Sequence, residues 1–176
     1  MKKIMLALLF IGASLYALEV QHTTVAFTAF KTYAKKGVSG VFDKVSITTA
    51  KADTVAQLLK NATADIDTTS VNSGNKGRDA KLVTAFFQVQ NVKKIKATIT
   101  DVKKDTLLVQ LTMNKKSLNI PMSYSAEKGT IKAKGVIDLA DFVMIKSLKS
   151  INKACYALHQ GKTWQDVNIS FTMQYK

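Results

Sequence analysis

With Cys155 as its only cysteine, the chain has no partner for an internal disulfide, so packing must hold it together without cross-links. The lone thiol is either a buried small hydrophobe, the commoner state, or an exposed reactive group. Histidine is nearly as scarce: His22 and His159 are the whole supply. Neither HExxH nor CxxC occurs, so the four N or S donors of a zinc site are not visible. Acidic side chains number 12 against 26 basic ones, a net charge of +14. Arginine is reduced to Arg78, so nearly all of that charge is lysine. Nucleic-acid readers lean on the arginine fork for bidentate and stacked contacts, so nucleic acid is not the expected partner. The lysines are also dispersed, in pairs such as Lys35-Lys36, Lys93-Lys94, Lys103-Lys104 and Lys115-Lys116 near turns and strand ends. Solvated charge is ordinary there, and it guards sheet edges against pairing with other chains. Acidic glycans or a lipid surface remain possible partners for so basic a chain.

Long apolar runs are missing after the first residues. Lys2 and Lys3 precede an apolar run from Ile4 to Leu15, and Ala17 then offers a small residue. Positive, apolar, small is the order of a secretory signal peptide, and the run is shorter than the roughly 20 residues a membrane span requires. Residues 1–17 are therefore set aside as a signal, with export to the periplasm or beyond as the expectation. The remaining residues 18–176 suffice for one domain with one core.

In that remainder the dominant period is two. Val25 and Phe27 share a face in TVAFTAF, as do Val38, Gly40 and Phe42 in GVSGVF. Leu107, Val109, Leu111 and Met113 alternate, and so do Leu118, Ile120, Met122 and Tyr124. Ile131, Ala133, Gly135 and Ile137 oppose Thr130, Lys132 and Lys134; Val167, Ile169, Phe171 and Met173 oppose Asn168, Ser170, Thr172 and Gln174. Such alternation means strands with one wet and one buried face. With VSITT, KIKATI and ATADIDTTSV the count reaches eight or nine. Short connections, EKG before Thr130 and KKD before Thr106, predict hairpins and hence an antiparallel meander that manages its edges by closing into a barrel. Pro121, inside one run, marks an edge, bulge or seam.

Helices are few. KADTVAQLLKNA has Val55, Leu58 and Leu59 at helical spacing, and RDAKLVTAFF reads as one or two turns. SLKSINKACYALH sets Leu148, Ile151, Cys155 and Leu158 on one stripe about three turns long, suited to lying on a sheet or across a barrel mouth. On that helix Cys155 and His159 share a face. They are either a thiol–imidazole pair or half a metal site, or simply a packed cysteine and a surface histidine at a helix end. GKT, Gly161 to Thr163, lacks the upstream glycine of a phosphate loop, since Tyr156 stands there, and it follows a helix instead of opening one. Asp138 and Asp141 are expected to end a strand and cap the following helix. No nucleophile, base and orienting group can be assembled, and catalysis is not expected.

The stretch VNSGNKGRDAKLVTAFF, from Val71 to Phe87, combines two glycines and the only arginine before a helical run. Together with HTTVAF, GVSGVF and GTIKAKGVIDLADF it resembles the YceI-like family of bacterial secreted proteins. His22, Val25 and Phe27 fit the early strand, with Thr23 where serine is usual; Ser70, Gly74, Arg78, Asp79, Leu82, Phe86 and Phe87 fit the central segment, with Asn72-Ser73 in place of Asp-Thr. LHQGKTWQDVNISF resembles the tail of an epsilon-class bacterial subgroup. The resemblance implies a lipocalin-like antiparallel up-and-down β-barrel of about eight strands with an apolar tunnel. It implies a carrier of a long-chain amphiphile (a polyisoprenoid, an isoprenoid quinone or a fatty-acid derivative), in a protein that is often dimeric and touches membranes at most transiently. A bound lipid takes the place of any cofactor or metal. The residues expected to line the tunnel are Val25, Phe27, Val38, Phe42, Ile66, Leu82, Phe86, Phe87, Ile99, Val109, Leu111, Ile120, Met122, Ile131, Ile137, Ile169 and Phe171, with Ala133 and Gly135 supplying room. Arg78 and Asp79 are read as locking the loop; in a sharper reading Arg78 also faces a ligand headgroup such as a pyrophosphate. The rival readings are a basic surface protein that binds acidic glycans, and a lipid-modifying enzyme using His22, His159 or Cys155.

Overall fold

A computed structural model describes residues 17–176. The signal segment expected over residues 1–17 lies, but for Ala17, outside the described residues. Ten strands form one antiparallel sheet: β1 Val20–Lys31, β2 Lys36–Phe42, β3 Val45–Thr48, β4 Thr63–Asp67, β5 Val71–Asn72, β6 Lys94–Val102, β7 Thr106–Met113, β8 Lys116–Glu127, β9 Thr130–Asp138 and β10 Thr163–Tyr175. Their spatial order is β3-β4-β6-β7-β8-β9-β10-β1-β2-β5. The strand not anticipated is β5, two residues long and paired to the end of β2. Four short α-helices accompany them among the described residues: α1 Val55–Leu59, α2 Lys76–Leu82, α3 Ile145–Ala154 and α4 Tyr156–His159.

Local chemistry explains most of these boundaries. Lys128 and Gly129, both at positive φ, make the two-residue β8–β9 turn, and Asn114-Lys115 do the same between β7 and β8, as the right-handed strand twist favours. Thr54 and Gln57 form a reciprocal capping box at the start of α1. On β7 the alternation is clean: Leu107, Val109, Leu111 and Met113 are all buried.

The sheet curls, but its closure is partial. β2 pairs with β1 only from Ala26 to Lys31; after Phe42 the chain bends and β3 pairs with β4 instead. One isolated pair, Leu18 with Ala52, joins across the gap, with Leu18 N–H donating to Ala52 O at 2.6 Å. The expected closed barrel thus keeps a window between β1 and β3. A second opening in the ladders falls where Pro121 predicts one. β8 pairs with β9 only from Ser123 to Glu127, stopping two residues short of the proline, which has no N–H to offer. The turn after β9 bridges this divergence, and Asn114 Nδ2 ties it to the β7–β8 hairpin by donating to Phe142 O at 3.0 Å. Leu139, Phe142 and Met144 fill the space beneath.

Two expectations are corrected here. The helical stripe is interrupted at Cys155, whose φ of −124° ends α3 before α4 restarts at Tyr156; Leu158 is consequently 64% exposed. Asp138 caps a turn and not a helix: its carboxylate accepts from Ala140 N–H and from Gln165 Nε2. The N-terminus of α3, at Met144, has no cap of its own. Gln90 serves it from a distance, its Oε1 accepting from both N–H and hydroxyl of buried Ser147 and its Nε2 donating to Val143 O.

Phe142 is fully buried in the bridging turn. Phe142→Ala is expected to cost about 3–5 kcal/mol through lost burial and an unfilled hole, measured as a lowered urea midpoint with an unchanged m-value.

An apolar cavity with a basic mouth

The loop between β5 and α2 is a clamp around one serine. Asp79 accepts from the Ser73 N–H at 2.9 Å and from the Ser73 hydroxyl. Arg78 Nε donates to Ser73 Oγ at 2.7 Å and Nη2 to Ser73 O at 2.7 Å. Asn75 caps α2 by accepting from Arg78 N–H, and Gly74 takes the positive φ of 74° that the turn demands. So fixed, α2 runs into a wider π-type turn, Val83–Phe87, whose Phe86 and Phe87 are buried. Their rings stack edge to face at 5.0 Å, and Phe87 continues through Phe42 to Phe27 at 6.2 and 5.6 Å. Gly40 makes this possible: a Cβ there would sit 2.8 Å from the Phe27 ring.

Above this aromatic floor the sheet encloses a cavity of about 520 Å³, within the range of small-molecule sites. All the residues expected to line it do so, Arg78 included, except Ile120 and Ile131. Those two, 8% and 0% exposed, pack into the wall; Ile120 lies in the close approach of β8 to β9 at Gly135. Ala133 and Gly135 do not line the cavity either. Gly135 instead lets the strands meet, since a Cβ would fall 2.9 Å from Met122 Cγ and 3.1 Å from Pro121 O. Room comes from elsewhere. Along β1, β2 and β10 the inward Val25, Phe27, Phe42, Ile169 and Phe171 are only half-buried, whereas Ile95, Ile99, Val109 and Leu111 across the sheet are buried.

Polar residues gather at one end, where β1 finishes and β10 begins, and it is these that periodicity does not reveal. Lys31, Arg78, Lys81, His159, Thr163 and Trp164 all line the cavity. Lys31 sits opposite Thr163 in the ladder, and Lys81 Nζ reaches Ala154 O at 3.5 Å. No carboxylate is among the described lining residues, and neither Lys31 nor Lys81 forms an ion pair among the described residues. Trp164 anchors the rim, donating from Nε1 to Thr32 O at 2.8 Å, with Lys162 and Lys35 over its ring at 4.5 and 5.0 Å.

His159 and Cys155 both line the cavity, but the imidazole is engaged elsewhere. Its Nδ1 lies 2.6 Å from Thr163 Oγ1, which donates its one hydrogen to Asn152 Oδ1 at 2.8 Å. Nδ1 must therefore carry the proton, leaving Nε2 as the acceptor. Burial, then Lys31 and Lys81, hold the imidazole below its ordinary value near 6.5. His22 lies outside this cavity, at the far end of β1, within 3.2 Å of Thr24 Oγ1. Among the described residues no three His, Cys, Asp or Glu side chains gather as metal ligands.

The fold and its hollow define a curled antiparallel container, lipocalin-like in plan, apolar within and basic at one mouth. The chain belongs to the YceI-like domain family, which it matches over residues 16–175. Solved structures of similar fold include a polyisoprenoid-binding domain from Saccharophagus degradans implicated in plant cell wall breakdown, at TM-score 0.65 and 16% identity over 92% of this chain and 98% of that one. Burkholderia cenocepacia BcnA gives 0.58 and 16% over 86% and 94%. A Campylobacter jejuni YceI protein gives 0.59 and 18% over 80% and 86%. At such identities the likeness is one of fold. A search of curated proteins found no match.

Two expectations follow from the site. Arg78→Ala is expected to lower unfolding stability by roughly 1–3 kcal/mol, because Ser73 loses two charge-assisted bonds, while affinity for an apolar ligand changes less; denaturant melts beside a binding titration separate the two. For His159, the folded state disfavours the charged form, so the unfolded chain binds more protons below about pH 6.5. Its contribution to stability is complete above that pH and is lost as pH falls through the depressed folded value. His159→Gln should flatten this part of a stability–pH curve, and imidazole NMR titration should give a midpoint below 6.5.

Proposed function

We propose that this protein is an exported binding or carrier protein for a long-chain amphiphile, working in the periplasm or outside the cell. The observation that carries the proposal is the half-buried apolar lining of β1, β2 and β10 around a cavity of about 520 Å³. Side chains of this kind normally reach packing contact in a folded core. Left uncovered, they offer burial worth about 0.8 kcal/mol per ligand methylene before the costs of binding. The Saccharophagus degradans structure of similar fold is a polyisoprenoid-binding domain, which agrees with such a ligand; a polyisoprenoid, an isoprenoid quinone or a fatty-acid derivative fits the same chemistry.

Charge orients the ligand. Lys31, Lys81 and Arg78 meet only at one end, so an anionic head belongs there and the tail runs inward. Arg78 is largely committed to Ser73, which leaves Lys31 and Lys81 as the lining cations without an ion-pair partner among the described residues. Lysines on the outer surface favour transient contact with anionic lipid headgroups during loading.

A native mass spectrum of the detergent-free protein should show a stoichiometric adduct of isoprenoid or acyl mass, and the same spectrum reads whether two copies associate. A protein that stays empty after incubation with quinones, isoprenoid phosphates and fatty-acid amides would sink the carrier reading; salt-sensitive retention on heparin would then favour an acidic glycan partner. Replacing Lys31 and Lys81 together by methionine should weaken an anionic amphiphile roughly threefold to tenfold and leave the matching neutral alcohol unaffected. An anionic ligand should also raise the His159 midpoint, since it offsets the two lysines that depress it.

A further inference from the structure

The end of the cavity opposite the lysines is also polar, in a different way. Thr23 lies eight residues before Lys31 on β1, about 26 Å away along an extended strand. It shares the inward parity of Val25 and Phe27 and lines the cavity with them. Its Oγ1 is buried and has no hydrogen-bond partner, alone in this among the buried side-chain polar atoms of the described residues. A hydroxyl offers one donor and two lone pairs, and leaving them empty in an apolar site is costly.

Thr23 also lines the window between β1 and β3, and so do Phe42 and Ile47 of the cavity wall. The window is framed and not frayed. On one side β1 is held to β10 from Val20 onward. On the other, the β2–β3 bend is drawn away: Asp43 and Lys44 N–H donate to Ser70 O and Oγ, and Asp67 N–H to Lys44 O. Two acids, Glu19 and Asp43, and two lysines, Lys51 and Lys176, surround it, so the Asp, Glu and Lys side chains of its lining balance, unlike the lysines and arginine at the other end.

We infer that the cavity takes an amphiphile polar at both ends, its anionic head at Lys31 and Lys81 and a second, uncharged polar group (a hydroxyl, carbonyl or amide) hydrogen-bonded by Thr23 at the β1–β3 window. This rests on the carrier reading and adds the class of ligand. A single-headed chain of full length would bury Thr23 against hydrocarbon; a two-headed one gives the hydroxyl its partner.

The test is displacement of a fluorescent fatty acid by saturated fatty acids and their ω-hydroxy counterparts over a series of chain lengths, with the wild-type protein and Thr23→Val. For short chains the ω-hydroxyl should weaken binding. Once the chain spans the distance to Thr23, it should strengthen binding about fivefold to tenfold, the worth of one hydrogen bond to an otherwise unpaired group. Thr23→Val should abolish that gain, leave the unsubstituted acids bound, and melt no lower than wild type, because it removes an unpaired hydroxyl at nearly constant shape. Unsubstituted acids that bind while the ω-hydroxyl never helps, or a gain that survives in Thr23→Val, would overturn the inference and spare the carrier. A marked loss of stability in Thr23→Val would also overturn it, by showing the hydroxyl already paired. Failure of every acid at every length to bind would remove the carrier reading and this inference with it.

Discussion

Ser73 is held by its two successive charged neighbours, and the shape of the interior follows from that grip. Asp79 takes its N–H and hydroxyl; Arg78 reaches its hydroxyl oxygen and carbonyl. The result is a fixed angle between β5 and α2, and that angle delivers Leu82, Phe86 and Phe87 to the cavity. Two parallel donors from one rigid plane are needed to span the serine, which a guanidinium supplies and an ammonium does not. In a chain whose cations are otherwise lysine, the sole arginine stands where the fork is used.

From the aromatic floor upward, the two flanks of the sheet behave differently. Over β6 and β7 the inward side chains reach packing density and are buried. Over β1, β2 and β10, neighbouring strands of the same sheet, they are only half-buried and border the cavity, while α3 packs on the π-type turn and against β10. The hollow thus lies against the β1, β2 and β10 flank. Its polarity is a consequence of strand direction: β1 carries Lys31 at the end that meets α2 and α4, and Thr23 at the end that meets the window. One strand thus runs the length of the cavity and places a lysine at one end of it and a threonine at the other.

Much of this was legible in the sequence. Period-two alternation located the strands, and the proline marked a real seam. The loop clamp and the plugging aromatics followed from their spacing once the family resemblance was seen. What alternation cannot distinguish is an inward residue that packs from one that borders a void. Ile120 and Ile131 have the same pattern as Val109 and Ile137, yet they sit in the wall, and Gly135, which looks like space, is where two strands touch. The basic mouth was hidden for another reason. Lys31, Lys81 and His159 lie on three elements far apart in the chain; the β1–β10 register sets Lys31 against Thr163, and the packing of α2 near the end of α3 adds Lys81. The break at Cys155 was hidden too, since a continuous helical stripe runs through it.

The window between β1 and β3 is the least expected part and yet is as determined as the wall. A sheet of this length could close by letting β3 continue along β1 as β2 does. It does not, because Ser70 and Asp67 hold the bend between β2 and β3 toward β4. Asp67 is itself fixed by Thr69, whose hydroxyl and N–H both donate to its carboxylate and hold it below the ordinary aspartate range. The charged form is the one that accepts these two bonds, so they are in place at neutral pH and are lost as pH falls through the depressed value. A short three-residue turn, Thr68–Ser70, thereby keeps two strand edges apart beside the buried, unpaired hydroxyl of Thr23.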